Sequence, residues 1–287
     1  MLSPAPLPPL AALVRRSDPD RFLASLFAPP AARETLFVLY AFNHELARAR
    51  DVTSQPMLAL IRLQWWREVV EGAERRHEIA TQLRIALDRG ALGAQALLGL
   101  IAAREAEIEA GLPDLAAWRA FISGTAGGLS VAAGQVLGHV DPAAEETLRA
   151  AGAAYGAARL IHGVTRQARA HRCLLPAELL TAAGLTPEDV IAAPGDARLG
   201  PVLDRLRHEA AGLLARARRR LPRELLPAAL PAVLAARDLR RTAAPPHDGR
   251  PLGDRLAVIL AGLRGRLERD DRRRNCRRSE SRDQTES

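Results

Sequence analysis

The chain contains no lysine, so all 41 of its basic residues are arginine. Coding bias accounts for that uniformity more simply than selection for arginine's bidentate grip on phosphate. Cysteine is scarce too: Cys173 and Cys276 stand far apart and in no metal-ligand spacing, which excludes a thiolate metal site and suits free thiols in a reducing compartment. Aromatic residues make up only 3%. No segment alternates β-branched and polar residues as a strand does, and no solenoid period stands out. Alanine, leucine and arginine fill the chain instead, and they lose little freedom in a helix. A hydrophobic share of 48% is ample for a buried core, so the composition predicts a globular all-α protein.

Long uncharged apolar runs are missing as well, with none read as reaching the roughly 18 residues of a membrane span. The N-terminus MLSPAPLPPLAALVRR has prolines where a signal peptide has its apolar core, and its arginines follow the apolar stretch. The expectation is a cytoplasmic protein, peripheral on the inner membrane where it touches one. The formal net charge of +8 favours anionic partners such as diphosphates, lipid headgroups or nucleic acid. Nucleic acid ranks last, because no compact basic motif carries base-reading polar residues and 33 acids balance the arginines.

Proline and glycine punctuation divides the chain. Residues 1–12, rich in proline, read as a flexible arm. Asp18 and Pro19 cap a short helix toward Phe27, and further helices fit Ala31–Asp51, Met57–Gly72, 78–90, 92–111, 114–138, 142–171, 198–220, 223–242 and a last one to about Arg269. The tail over 270–287 is charged, has nothing to bury and reads as disordered. One helical domain over 13–269 is the simplest organisation.

Three stretches carry chemistry. The first is FLASLFAPPAARETLFVLYAFNHELARARD, from Phe22 to Asp51. It resembles the opening of squalene and phytoene synthases, where a leucine-rich stretch and a proline precede a helix reading tyrosine-alanine-phenylalanine-cysteine-arginine. Tyr40-Ala41-Phe42 keeps that triplet, and His44 stands where the family has arginine. In that family two aspartates follow, four residues apart on one helix face, and jointly hold magnesium against the substrate's diphosphate. Counted from Phe42, these positions are Ala47 and Asp51.

The second stretch, ARLIHGVTRQARAHRCLLP over 158–176, resembles the family's second aspartate motif and its arginine-x-tyrosine-leucine-proline ending. Arg172, Leu175 and Pro176 keep the ending, Leu174 replaces the tyrosine, and the aspartate positions fall on Gly163 and Gln167. The third, ISGTAGGLSVAAGQVLG over 122–138, resembles the glycine-rich helix between the two motifs. Gly124 with Gly128, and Gly134 with Gly138, offer bare strips to a neighbouring helix or an alkyl chain.

The resemblance implies an isoprenoid-synthase helical bundle with a central cavity. One aspartate of four survives, Asp51, and magnesium does not accept alanine, glycine or a neutral amide in place of charge. Glu45 is the nearest other acid, two residues from Ala47 and on another helix face. Basic residues remain: Arg48 and Arg50 on one helix, Arg159, Arg166 and Arg169 on the other, either a solvated surface or direct ligands for a phosphate. The candidate substrate- or phosphate-binding set is Tyr40, Arg48, Asp51, Arg166 and Arg172, with no confident catalytic residue and no metal ligand beyond Asp51. Trp65-Trp66 reads as one ring in the core and one nearer the surface.

Within the family the run AFNHELARARD, followed by IRLQWWREVVE, is most similar to the non-catalytic branch that includes the mitochondrial complex I assembly factor. That branch implies a scaffold or assembly role at a respiratory membrane complex, with a complex subunit or another membrane protein as partner, room for a lipid or prenyl phosphate as ligand, and no cofactor. The alternative is an active head-to-head prenyltransferase, which requires magnesium. The basic, leucine-rich stretch from Pro251 to Arg269 suits a membrane surface, or simply closes the bundle.

Overall fold

The computed structural model describes residues 7–51, 55–241 and 250–267. Helices α1 (Pro9–Ser17) and α2 (Pro19–Ser25) lead into the long α3 (Pro30–Asp51). All three open on a proline, whose missing N–H costs nothing in a first turn. Helices α4 (Pro56–Glu71), α5 (Glu78–Asp88) and α6 (Ala94–Ala110) pack with α1 and α3 around Leu36, Leu39, Leu63, Leu83, Leu97 and Ile101, all buried.

Next, α7 (Leu115–Ile122) runs through a π-helical turn at Ser123–Gly127 into α8 (Gly128–Leu137). This continuous helix, Leu115–Leu137, is long and apolar enough to cross a membrane by length and composition, which the sequence inspection missed. More than half of it is buried in the bundle, against α6 and α9 (Pro142–His162). The chain continues with α10 (Val164–Arg169), α11 (Ala177–Ala182), α12 (Pro187–Ala192) and α13 (Leu199–Arg216). A 3-10 turn at Arg223–Leu225 then precedes α14 (Leu226–Ala229), α15 (Pro231–Asp238) and α16 (Leu252–Arg264). Among the described residues there is no strand.

The three hydrophobic clusters of the bundle share one element. Helix α9 gives Leu148, Ala150 and Ala151 to the first, Ala153, Ala157 and Ile161 to the second, and Ala154, Tyr155 and Ala158 to the third. Its alanines and glycines let neighbouring backbones come close. A Cβ placed on Gly152 would stand 2.3 Å from the Ala126 carbonyl oxygen and 2.6 Å from the Ser130 Cβ, and one on Gly156 would stand 2.6 Å from the Ala126 Cβ. The glycine-rich motif does the same from its side, with Gly124 against Ala103 and Gly134 against Leu148. Helix packing therefore accounts for these glycines, and no alkyl chain is needed.

Several boundaries differ from the sequence expectation. Residues 9–12, expected in a flexible arm, form the first turn of α1 and bury Ala11, because Pro9 starts that helix instead of preventing it. The helix expected over 142–171 breaks at Gly163, and that expected over 223–242 is divided by Pro227 and Pro231 into α14 and α15. Helices α11 and α12 were not anticipated. Thr186 and Asp189 form a reciprocal capping box at the start of α12, a signal present in Thr186-Pro187-Glu188-Asp189. The tail over 270–287 lies outside the described residues.

Substituting Gly152→Ala forces a methyl group onto a backbone oxygen that cannot yield, and unfolding in urea should show a loss of about 2 kcal/mol or more. Gly212 is exposed on α13, and a Cβ there would meet nothing within 4 Å. Gly212→Ala should gain about 0.5–1 kcal/mol in the same assay.

Candidate functional site

Two of the four positions that the resemblance assigns to the aspartate motifs, Gly163 and Gln167, have local structural roles. Gly163 ends α9 and Gln167 lies buried in α10, its side-chain amide donating to the Leu160 carbonyl at 3.0 Å. The Gly163 N–H also donates to Leu160, at 3.1 Å. The carbonyl group exposed by the helix break is thereby satisfied twice. A Cβ on Gly163 would lie 2.6 Å from the Arg159 carbonyl oxygen and 3.0 Å from the Gln167 amide nitrogen. An aspartate has no room there without a shift of the break. On α3, Ala47 brings no ligand, and Asp51 is the helix's last residue, its side chain lying outside the described residues.

Each of the other candidate residues has a neighbour of its own. Arg48 is half exposed and pairs with Glu45 one turn back on α3, at 3.2 Å. Arg172 is nearly buried and donates to both oxygens of Glu107 at 3.0 Å, tying the segment after α10 to α6. Arg166 is exposed on α10 and also has an interaction partner. Tyr40 is buried, its ring centre 5.9 Å from the guanidinium of Arg21. Arg159 and Arg169 are exposed. Leu174 and Leu175 are buried in the second cluster, and Glu178 on α11 accepts from the Leu115 N–H at 2.7 Å, capping α7.

Among the described residues no three His, Cys, Asp or Glu side chains come together to hold a metal ion. The residues at the motif positions do not fit a magnesium-diphosphate cluster: one is a methyl group, one has no space for a side chain, and one amide is committed to the backbone. Cys173 forms no disulfide among the described residues, and burial pushes its thiol pKa up, away from nucleophilic use.

The densest polar constellation lies elsewhere. It joins α2, α9, α15, α16 and Arg250, and the sequence reading did not find it. Asp18 caps α2, accepting from the Arg21 N–H at 3.1 Å and its guanidinium at 2.6 Å. That guanidinium stands 4.9 Å from the centre of the Tyr155 ring. The Tyr155 hydroxyl donates to Asp20 at 2.7 Å. Arg250 Nε donates to both Asp20 oxygens at 2.9 Å, while its terminal nitrogens reach Asp238 at 2.7 and 2.9 Å. Asp254 accepts from Arg237 at 2.6 Å and from Arg241 at 2.6 and 2.7 Å. Asp20, Asp238 and Asp254 are all buried. The available signal was an aspartate ending a largely apolar helix, with one arginine beside it and another one turn on, as in Arg237-Asp238 and Arg241.

Burial raises the Tyr155 phenol, and the charge of Asp20 raises it further, so the hydroxyl remains a donor. At Asp254 burial alone would raise the pKa, but hydrogen bonds from Arg241 and Arg237 outweigh it and hold the carboxyl at about 2.

Two surface hollows complete the picture. One of about 400 Å³ lies between α4 and α6, lined by Leu60, Ile61, Gln64, Trp65, Glu68 and Glu105. One of about 390 Å³ lies between α13 and α15 and includes Leu214, Val233, Leu239, Arg207 and Arg240. As the sequence suggests, Trp66 is in the core and Trp65 nearer the surface, their rings meeting edge to face at 4.8 Å.

Comparison with known proteins places this arrangement. The model of the squalene/phytoene synthase family matches residues 14–260. The chain belongs to that family. A crystal structure of a dehydrosqualene synthase in complex with ligand superimposes with a TM-score of 0.72 at 12% identity, covering 88% of this chain and 94% of that one. Squalene synthase HpnC from Alicyclobacillus acidocaldarius gives 0.66 at 19% identity over 80% and 90%. The all-α isoprenoid-synthase fold expected from the resemblance is therefore the fold observed.

By sequence the chain is similar to NADH dehydrogenase (ubiquinone) complex I, assembly factor 6. It is 25% identical to the Homo sapiens protein over 184 residues and 27% identical to the Rattus norvegicus protein over 229 residues. These matches take in 62% and 77% of this chain, and 55% and 69% of the relatives' lengths.

The folded pKa of Asp254 lies below its ordinary 3.8, so the unfolded chain takes up the proton first as the pH falls. Its contribution is complete above pH 3.8 and is lost as the pH drops to about 2. The stability gap between wild type and Asp254→Asn, from urea unfolding, should therefore shrink by about 2 kcal/mol across that window. A gap independent of pH there would show that the carboxylate's charge is not what Arg237 and Arg241 hold.

Proposed function

We propose that this chain is a non-catalytic member of the family, a scaffold that acts in the assembly of a respiratory membrane complex from the cytoplasmic face of the membrane. The observation that carries the reading is the fate of the motif positions: Ala47, Gly163 and Gln167 offer no carboxylate, and the last two are engaged in the helix break that ends α9. A diphosphate leaving group needs several units of positive charge brought by metal ions, and a single aspartate does not anchor them. The similarity to complex I assembly factors supports the assembly role and suggests a subunit of that complex as partner.

The arginines read from the sequence as phosphate ligands give less support to an anion site. Arg48 and Arg172 each face a glutamate, so much of their charge is already answered. A scaffold needs only a stable surface, and the bundle supplies one without metal.

Purified protein incubated with magnesium and farnesyl or geranylgeranyl diphosphate should release no diphosphate above the rate of buffer alone. Release at enzyme-like rates, abolished by Asp51→Ala, would return the chain to the prenyltransferases. In the cell, deleting the gene should lower the amount of assembled complex I in the membranes, and both the wild type and the Asp51→Ala chain should restore it. Unchanged complex I in the deletion strain would sink the assembly role.

A further inference from the structure

We propose that the outer face of α16 is a docking surface for an anionic lipid bilayer. One side of this helix closes the bundle: Asp254, Val258, Ala261 and Gly262 are buried, and the Phe27 ring packs so closely on Gly262 that a Cβ there would stand 2.5 Å away. The other side carries Leu252, Leu256, Leu260 and Leu263 in one stripe at helical spacing, 71%, 46%, 44% and 65% exposed. Lone exposed leucines are ordinary, but a continuous row along a whole helix is not.

The charges beside the stripe select its occupant. Arg255, Arg264 and Arg266 are exposed and form no ion pair among the described residues. The helix's one carboxylate, Asp254, is buried on the opposite side and already bound by Arg237 and Arg241. The sequence beyond is mixed in sign, with Arg269, Arg272, Arg273, Arg274, Arg277, Arg278 and Arg282 against Glu268, Asp270, Asp271, Glu280, Asp283 and Glu286, so the selection rests on the helix's own arginines. The complement of an apolar stripe whose exposed charged neighbours on the described helix and the turn after it are Arg255, Arg264 and Arg266 is a surface with anionic groups outside and hydrocarbon beneath. The exposed apolar side of α4 differs, since Ile61 lines a hollow together with Glu68 and Glu105, and it lacks this one-signed rim. The Asp254 ion pairs also fix the roll of α16, so its leucines face outward without any rearrangement.

The test uses the full chain, sedimented with vesicles of phosphatidylcholine alone or with about 30% phosphatidylglycerol. Binding is expected to the anionic vesicles. It should weaken at least about tenfold on neutral vesicles, and by a similar factor in Leu256→Glu/Leu260→Glu. A triple Arg255→Gln/Arg264→Gln/Arg266→Gln variant, whose changes are confined to exposed positions, should weaken binding to anionic vesicles with an unchanged melting curve. It decides the matter if the leucine variant fails to fold. Absence of wild-type binding to anionic vesicles, or equal binding by all variants, overturns the proposal. So does a wild-type dimer that ignores vesicles and is split by the leucine variant, which would assign the stripe to a second copy. No respiratory protein takes part, so this result and that of the complex I experiment stand or fall separately.

Discussion

The bundle depends on how closely other backbones approach α9. Between Ala150 and Ala158 this helix presents only alanine and glycine apart from Tyr155, and it touches all three hydrophobic clusters. Where a Cβ on Gly152 would stand 2.3 Å from a carbonyl oxygen, no side chain separates one helix from the next. Dispersion contacts at such range are numerous and fall away steeply with distance, so small shifts are costly. Closeness also sets position: because α9 cannot slide, the depth of Tyr155 and the place where the helix breaks at Gly163 are fixed together. The π-helical turn at Ser123–Gly127 lies along this contact and adapts the facing helix to it.

The charge network settles a second degree of freedom. Arg250 joins Asp20, 230 residues away in sequence, to Asp238, and Asp254 joins α16 to α15. Removing these charges from water costs several kcal/mol for each, and their mutual attraction roughly offsets that cost when every oxygen is satisfied. Net stability is therefore not what such a network chiefly supplies. Its members pair in only one arrangement, which determines how the last helix closes on α2 and α15. An apolar seam would accept α16 at several angles about its axis, while a buried Asp254 accepts one.

Much of this was legible in the sequence, and what was missed has physical causes. Helix ends signalled by Pro30, Pro56, Gly111 and Asp141-Pro142 fall within a few residues of the observed bounds, because caps and breakers act locally. Tyr40-Ala41-Phe42 and the glycine-rich stretch led to the right family because order and spacing survive where individual residues change. The break at Gly163 was not legible: a lone glycine inside a helical pattern is compatible with continuation, and here the Gln167 amide favours the break. The ion network was hidden for another reason. Arginine is so frequent in this chain that Arg237, Arg241 and Arg250 do not stand out, and their partners meet only through tertiary structure.

The surroundings of Gly163 and Gln167 constrain which side chains fit at the end of α9. If carboxylates were merely absent at these two positions, the surrounding geometry would still have room for them. Instead Gly163 sits where a Cβ meets the Arg159 carbonyl, and the Gln167 side chain satisfies the Leu160 carbonyl that the break exposes. An aspartate at the first position clashes, and one at the second replaces a donor with an acceptor facing a carbonyl oxygen. The helix end as folded therefore rests on a residue without a side chain and on a side-chain amide. The contacts of the helix end hold both residues as they are: the Gln167 amide on the Leu160 carbonyl, and Gly163 against the Arg159 carbonyl.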